Sequence, residues 1–370
     1  MTIIVLGLIA AALFFAQQKL YQELWNKGLS VSLKFQDLAV YAGEETYLSE
    51  VVENRKWLPL PALKVKFQCA ASIKFAADLS SQVSDMYYRN DLFSLMSYRR
   101  ITRNHRINCS RRGYYGIKGI DLVGADLFLS REMVESRAGE TWIYVYPAPA
   151  PLEQMEALLR KISGEAQSKR HLQTDPFSFR GIREYSPYDE LKSVNWKATA
   201  KSEDIKVNVH DYTAIMDTAI FINLKDRKWS SSAEHIEKAI SIAAYLAGYY
   251  LSQGISLSLY ANGRDILQDT TLCMEDKKDY RQMEQINVML ARLDTQREAA
   301  PFDSFAERLT RWSERMLIVI SPDWLEEVQN LLIRIDPRQD FVWIIPCRKA
   351  SDIKLHPALK DRAIMIEDLA

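Results

Sequence analysis

The chain of 370 residues has no excess of charge of either sign, because Lys plus Arg and Asp plus Glu each number 48. A formal net charge of zero provides no overall attraction to nucleic acid or to anionic lipid. Residues 97–119 are locally basic, but their cations alternate with apolar residues, as in a strand with one solvated face. We therefore expect no nucleic-acid partner.

Cysteine and histidine are scarce and scattered. The four cysteines form no CxxC pair, and none of the five histidines has a partner at metal-ligand spacing. This pattern predicts neither a disulfide scaffold nor a zinc site, and it fits a reducing compartment.

Motifs of several large enzyme classes are missing as well. The sequence contains no GxxxxGK[ST], no GxGxxG and no GxSxG, the patterns that bind ATP phosphates, bind dinucleotides or position a nucleophilic serine. No acidic pair stands out as a general acid and base. We expect no catalytic residues, no cofactor and no enzymatic activity.

A long apolar run is present at the N-terminus. Residues Thr2 to Ala16 carry no charge, and with Lys19 snorkelling the stretch 1–20 can cross a bilayer. A cleaved signal peptide is the alternative, but no Lys or Arg precedes the run. Because Lys27 and Lys34 also follow it, the positive-inside rule predicts a single-pass cell-membrane protein with most of the chain in the cytoplasm.

Residues 28–148 show short alternating segments that are typical of strands. Val31–Phe35 and Leu63–Phe67 alternate, and Thr141–Tyr146 is rich in strand-forming residues. Turn signals separate these segments. The spacing predicts an all-β, sandwich-like domain.

Residues 216–370 show a different pattern, after a connector at 149–215. Apolar strand-like runs alternate with helical patterns, which predicts a parallel sheet with helices on both faces. The predicted strands are Thr218–Leu224, Ile255–Tyr260, Met316–Ile320 and Phe341–Ile345. The predicted helices include one that buries Ile236 to Leu251, and others at Phe302–Trp312 and Trp324–Ile335.

The connector contains a segment dense in Arg, Lys, Trp, Tyr and Asp, residues 179–201, called here the signature segment. Arg183, Asp189 and Lys192 could form charge-assisted hydrogen bonds, and we expect Trp196 to be largely buried in an irregular but ordered connector. Such a segment could brace the domains or form a recognition surface. Our hypothesis is mixed: Asp189 and Trp196 are structural, and the exposed cations Arg183 and Lys197 bind a partner.

The signature segment resembles the pattern GxRxYxxGDxxRxIxWxAxA of the bacterial domain-of-unknown-function 58 family. The match departs at Tyr188, where the family usually has glycine, and at Lys192, where arginine is usual. The matching residues are Gly181, Arg183, Tyr185, Asp189, Trp196, Ala198 and Ala200.

The resemblance implies a membrane-tethered protein with a von Willebrand factor A-like α/β domain that works with a MoxR-type AAA+ ATPase. It brings no established catalytic residues. Many von Willebrand A domains bind Mg²⁺ through DxSxS after the first strand, and the positions here are Asn223, Lys225 and Arg227. An amide and two cations do not form an oxygen-rich site, so we expect no metal there. Placing the start of the DxSxS motif at Asp226 instead fits Mg²⁺ little better.

These observations predict an N-terminal transmembrane helix, a β-sandwich-like domain and a von Willebrand A-like domain. The leading functional hypothesis is a non-enzymatic, membrane-anchored interaction protein with a MoxR-type AAA+ ATPase and the lipid bilayer as partners. A cation-dependent adhesion or ligand-binding protein is the alternative. The candidate interaction residues are Gly181, Arg183, Tyr185, Asp189, Lys192, Trp196 and Lys197.

Overall fold

The architecture is described from a computed structural model. It divides into two compact units. The first is Met1–Pro149 with Asp265–Asp269 and Glu284–Asp294, and the second contains the rest of the chain. The structure describes residues 2–76, 86–169, 179–186, 193–202, 204–210, 217–225, 233–275, 281–301, 315–335 and 341–368.

The first unit begins with helix α1, Thr2–Leu24. It extends four residues beyond the predicted stretch 1–20 and is long and apolar enough to cross a membrane. Its apolar half is exposed, whereas Tyr21 and the following Trp25 are only 3 % and 5 % exposed. The chain therefore passes from an apolar helix directly into the core of the β unit.

The β unit contains two sheets. One has the order β1-β3-β7-β5 and is antiparallel throughout. The other has the order β2-β9-β8-β4-β6, in which only the β2–β9 pairing is parallel. The strands are β1 Leu29–Phe35, β2 Ala39–Tyr41, β3 Glu45–Asn54, β4 Leu60–Ala70, β5 Ile73–Phe75, β6 Met86–Leu95, β7 Arg100–Cys109, β8 Gly113–Ala125 and β9 Glu132–Tyr146.

Apolar residues from both sheets form the core between them. One cluster joins Tyr21 and Trp25 to Val52 of β3 and Leu63 of β4, and a second contains Phe35 and residues such as Ile107 and Ile143. Alternation along the strands places these side chains on one face, as the sequence predicted for Val31–Phe35 and Leu63–Phe67. The strand predicted at Thr141–Tyr146 is also present, as the end of β9. The predicted β architecture of residues 28–148 is thus present.

The second unit contains a mixed, mainly parallel sheet with the strand order β14-β13-β12-β16-β17-β18. Strand β14 is antiparallel to β13, and the remaining pairings along this path are parallel. The strands along this path are β12 Thr218–Ile222, β13 Leu257–Asp265, β14 Thr271–Met274, β16 Met316–Ile320, β17 Phe341–Cys347 and β18 Ala363–Glu367. The short strand β15, Leu293–Asp294, belongs to the first unit.

The central strands are buried on both faces. Every residue of β12, β16 and β17 is buried, as the continuous apolar runs predicted. The helices are α2 Leu152–Lys169, α3 Trp196–Thr199, α4 Ala233–Ser252, α5 Gln282–Ala291 and α6 Glu326–Ile333, with 3-10 turns at Ala350–Asp352 and Pro357–Arg362. The predicted helix 302–312 lies outside the described residues.

A small antiparallel pair completes the second unit. It consists of β10 Phe179–Glu184 and β11 Lys206–His210, and α3 lies between them in the chain. The signature segment therefore contains a strand and a helical turn, so the prediction of an irregular connector is wrong.

Candidate functional site

The signature segment is held by backbone pairing with β11. Arg183 pairs with Val207 and Glu184 with Lys206, and the side chains of Lys206 and Glu184 form an ion pair at 3.2 Å. An isolated bridge joins Val194 to Val207. Two stretches of the segment, one on each side of residues 187–192, thus pair with the same strand.

Asn195 fixes the beginning of α3. Its Oδ1 accepts a hydrogen bond from the amide of Ala198 at 2.9 Å, as an N-cap side chain does. Its Nδ2 donates to Asn208 Oδ1 at 2.7 Å, and its backbone amide donates to the Lys206 carbonyl at 2.8 Å. The position of the next residue, Trp196, is therefore set by contacts that do not involve its own ring.

Trp196 is 69 % exposed, so the prediction that it is largely buried is wrong. Arg183 and Lys197 are also exposed. Ile182 and Ile205 are 48 % and 46 % exposed. The segment therefore displays an indole, apolar side chains and two cations on ordered backbone. This combination of Trp and Arg is enriched in protein–protein interfaces.

The remaining candidate residues differ in what the structure shows of them. Tyr185 is half-buried, and its amide donates to the Ile205 carbonyl at 2.9 Å. A Cβ atom built on Gly181 would meet no atom of the described residues within 4 Å, so packing among these residues does not require glycine there. Asp189 and Lys192 lie outside the described residues, and their proposed pairing stays a prediction.

A buried polar cluster lies at the carboxyl ends of β12 and β16 and within β13. Asn223 Nδ2 donates to Ser321 Oγ at 3.0 Å. Asn223 Oδ1 accepts from Asn262 Nδ2 at 2.8 Å and from the Lys225 amide at 3.1 Å. All three side chains of the cluster are fully buried. Ligands of open parallel sheets bind at this edge, but these amides bond to one another.

The cluster does not fit the Mg²⁺ site of von Willebrand A domains. Mg²⁺ prefers carboxylate, phosphate and water oxygens, whereas the one side-chain oxygen of Asn223 already accepts two hydrogen bonds. Lys225 directs its Nζ to Glu327 Oε2 at 3.4 Å. Arg227 and Asp226 lie outside the described residues.

A second buried polar cluster, which the sequence analysis missed, joins the two sheets of the first unit. His105 Nε2 lies 2.9 Å from Glu50 Oε2 and 3.6 Å from Asp91 Oδ2. Arg89 and Arg103 both form ion pairs with Asp91. Glu50 is completely buried, and its Oε1 has no hydrogen-bond partner in the part of the chain that the structure describes.

Burial is the main cause that raises the pKa of the Glu50 carboxyl, and the nearby Asp91 adds to it, while the His105 hydrogen bond opposes the change. Ligand atoms of Glu50, Asp91 and His105 lie within 4.8 Å of one another, which is close enough to hold a metal ion, although Arg89 and Arg103 already pair with Asp91. The alternation of β3 is a signal for this cluster, because Glu50 lies on the same buried face of the strand as Leu48 and Val52.

Comparisons with solved structures find distant likenesses to part of the chain. No family model and no curated protein matches this chain. The CARDB domain of a Pyrococcus furiosus protein matches at 14 % identity with a TM-score of 0.22, covering 32 % of this chain and 90 % of that one. A non-cellulosomal cohesin from Archaeoglobus fulgidus matches at 7 % identity with a TM-score of 0.23, covering 35 % and 97 %. A type I cohesin–dockerin complex from Clostridium thermocellum matches at 12 % with a TM-score of 0.23, covering 31 % and 99 %. These likenesses are too weak to bear on function.

Proposed function

We propose that this chain is a membrane-anchored, non-enzymatic interaction protein that binds a MoxR-type AAA+ ATPase through its signature segment. The observation that carries the proposal is the exposure of Trp196, which is 69 % exposed although it begins the capped turn α3. Leaving a large aromatic side chain in water forgoes the free energy that burial would contribute. A partner that covers the ring recovers that free energy.

The ordered backbone under Trp196 favours binding. Asn195 and the pairing with β11 hold the segment before any partner arrives. Little conformational entropy is then lost on association, which raises affinity. Arg183 and Lys197 add positive charge and attract an acidic patch on the partner.

Contacts of α1 support an anchor that stays on the protein. Gln17 Nε2 donates to Asp126 Oδ2 at 2.9 Å, and Gln18 Nε2 donates to Ser130 Oγ at 3.0 Å. Tyr21 and Trp25 belong to the core of the β unit. A signal peptide cleaved near Gln17 would lose part of these contacts, whereas a retained helix keeps all of them. The cations after the helix favour a cytoplasmic location of both units.

The mainly parallel sheet supports a von Willebrand A-like second unit. The alternative function, cation-dependent adhesion, would need an oxygen-rich site at the edge of that sheet. The Asn223–Asn262–Ser321 cluster disfavours it, because its amide groups already bond to one another.

The anchor is tested by Leu8→Arg. A charge at the bilayer centre costs about 2.5–3.5 kcal/mol on insertion scales, so much of the protein should leave the membrane fraction or be degraded. The matched control is Leu38→Arg, which changes an exposed leucine of the β unit. Full retention of Leu8→Arg in carbonate-washed membranes would contradict the anchor.

The binding surface is tested with Arg183→Ala and Lys197→Ala in the full-length chain. Each variant should bind the ATPase of the same cell more weakly at an unchanged melting temperature, because both side chains are exposed. Lys354→Ala is the control for loss of a lysine elsewhere in the second unit. Undiminished binding by both variants would show that neither cation contributes to binding.

A further inference from the structure

The turn between β8 and β9, residues 126–131, displays apolar side chains to the outside. It reads Asp-Leu-Phe-Leu-Ser-Arg, and it is called here the apolar turn. Leu127, Phe128 and Leu129 are 51 %, 61 % and 62 % exposed. Three consecutive exposed apolar residues at the end of a hairpin form a patch for which water is a poor solvent.

Asp126 holds the apolar turn in one conformation. Its buried carboxylate accepts hydrogen bonds from the Ser130 amide at 2.6 Å, the Ser130 hydroxyl at 2.6 Å and the Arg131 amide at 3.1 Å. Leu129 has a φ of 56°, a left-handed conformation that glycine adopts far more readily than leucine. A bulky apolar residue thus occupies a position where turn geometry alone would favour glycine.

The apolar turn lies against helix α1. The Phe14 and Phe128 rings are 5.7 Å apart, Gln17 donates to the Asp126 carboxylate and Gln18 donates to Ser130 Oγ. Phe14, Gln17 and Gln18 are spaced three and four residues apart and share one helix face. The helix and the turn therefore contact each other over one turn of α1, and both belong to the first unit.

These contacts define the depth of the turn relative to the apolar part of the helix. Phe14 lies near the end of the uncharged run, and Gln17 is the first polar residue after it. Phe128 is thus level with the last apolar turn of α1. Nearer the C-terminal end of α1, Arg131 Nη1 donates to Gln22 Oε1 at 3.2 Å. This contact places a cation at the depth where phosphate headgroups would lie.

We propose that the apolar turn is a second membrane contact, with Leu127, Phe128 and Leu129 inserted at the boundary between headgroups and acyl chains beside α1. The inference rests on α1 being a transmembrane helix, as proposed above. The occupant is a lipid bilayer, because the patch is continuous with the helix surface that lipid would already cover. Two contacts instead of one restrict how the β unit tilts on the membrane.

The test uses the full-length chain in liposomes with three single substitutions, each labelled with an environment-sensitive fluorophore. Leu127→Cys reports on the turn and Leu8→Cys on the anchor. Leu38→Cys is the matched control, since Leu38 is 65 % exposed and follows the end of β1 that is remote from α1. The unsubstituted protein is the labelling blank. Lipids that carry a quencher high on the acyl chain measure contact at the boundary, where Leu127 is expected, and lipids with a quencher near the end of the acyl chain measure contact at the bilayer centre, where Leu8 is expected.

We expect quenching at Leu8 and Leu127 and none at Leu38. Quenching at Leu8 without quenching at Leu127 would overturn the second contact and leave the anchor intact. No quenching at Leu8 would overturn the anchor itself. Equal quenching at Leu38 and Leu127 would also overturn the inference, because contact would not be specific to the turn. Melting temperatures of the three variants check that each one is folded.

Discussion

Two tryptophans in this chain have opposite surroundings. Trp25, at the junction between α1 and the β unit, is 5 % exposed and packs in a core cluster. Trp196, in the signature segment, is 69 % exposed. One indole contributes to stability, whereas the other contributes little to the fold and is available to a partner.

Two glycines repeat the same contrast. A Cβ atom on Gly124 would overlap the Trp25 ring, whereas a Cβ atom on Gly181 would meet no atom of the described residues within 4 Å. Glycine at position 124 is thus required by packing, and glycine at position 181 is not. Packing therefore fixes the residue at the junction between α1 and the β unit, whereas it places no such constraint on position 181 of the signature segment.

The largest effect is expected from Trp25→Ala. Removing a buried tryptophan leaves a cavity, and the free energy of unfolding should fall by about 3–5 kcal/mol. Denaturant titration of the detergent-solubilised protein measures this change. The control is Trp57→Ala, because Trp57 lies in the same unit and is 56 % exposed. Similar losses in the two variants would contradict the structural role of Trp25.

Gly124→Ala should have the next largest effect. The added methyl group overlaps the Trp25 ring, and overpacking of a core costs about 1–3 kcal/mol. Gly181→Ala is the matched control and should leave the melting temperature unchanged. A destabilised Gly181→Ala variant would show that the signature segment is packed more tightly than its exposure indicates.

Glu50 should make the stability of the first unit depend on pH. Its pKa is raised above the ordinary value of 4.5 in the folded state, so between these two pKa values the folded state binds more protons than the unfolded state. Stability from this group therefore falls as the pH rises through that window.

Glu50→Gln removes the titrating carboxyl group and keeps the shape of the side chain. The stability of the variant relative to the unsubstituted protein should rise as the pH increases above 4.5 and then level off. Unfolding free energies at a series of pH values measure the difference. Asn223→Asp provides a contrast in the second unit, because it adds a titrating group to a cluster that has none among its described side chains. A pH-independent difference for Glu50→Gln would contradict the assignment.

The sequence predicted elements whose pattern is local. The alternation in Leu63–Phe67 and the apolar run of β16 both indicate their strands, because burial on one face or on both leaves a direct mark on the pattern. Strand β18 was missed, since it is short and follows 3-10 turns that carry no strong signal. The exposure of Trp196 could not be read from residue type, because a tryptophan is more often buried than displayed.

Features that depend on distant contacts were also beyond the sequence. Glu50 and His105 are far apart in the chain and meet only when β3 and β7 pair. The apolar turn is more apolar than most hairpin ends, but its contact with Phe14 becomes visible only in the folded unit.

The central claim is that the signature segment displays Trp196 for a partner, and one pair of variants tests it directly. The dissociation constant for the MoxR-type ATPase of the same cell is measured for full-length Trp196→Ala and Trp57→Ala in lipid nanodiscs, together with the melting temperature of each. The account predicts that both variants melt like the unsubstituted protein and that only Trp196→Ala loses affinity, by at least about thirtyfold for a hot-spot tryptophan (roughly 2 kcal/mol). Equal affinity of the two variants at unchanged melting temperatures would contradict it.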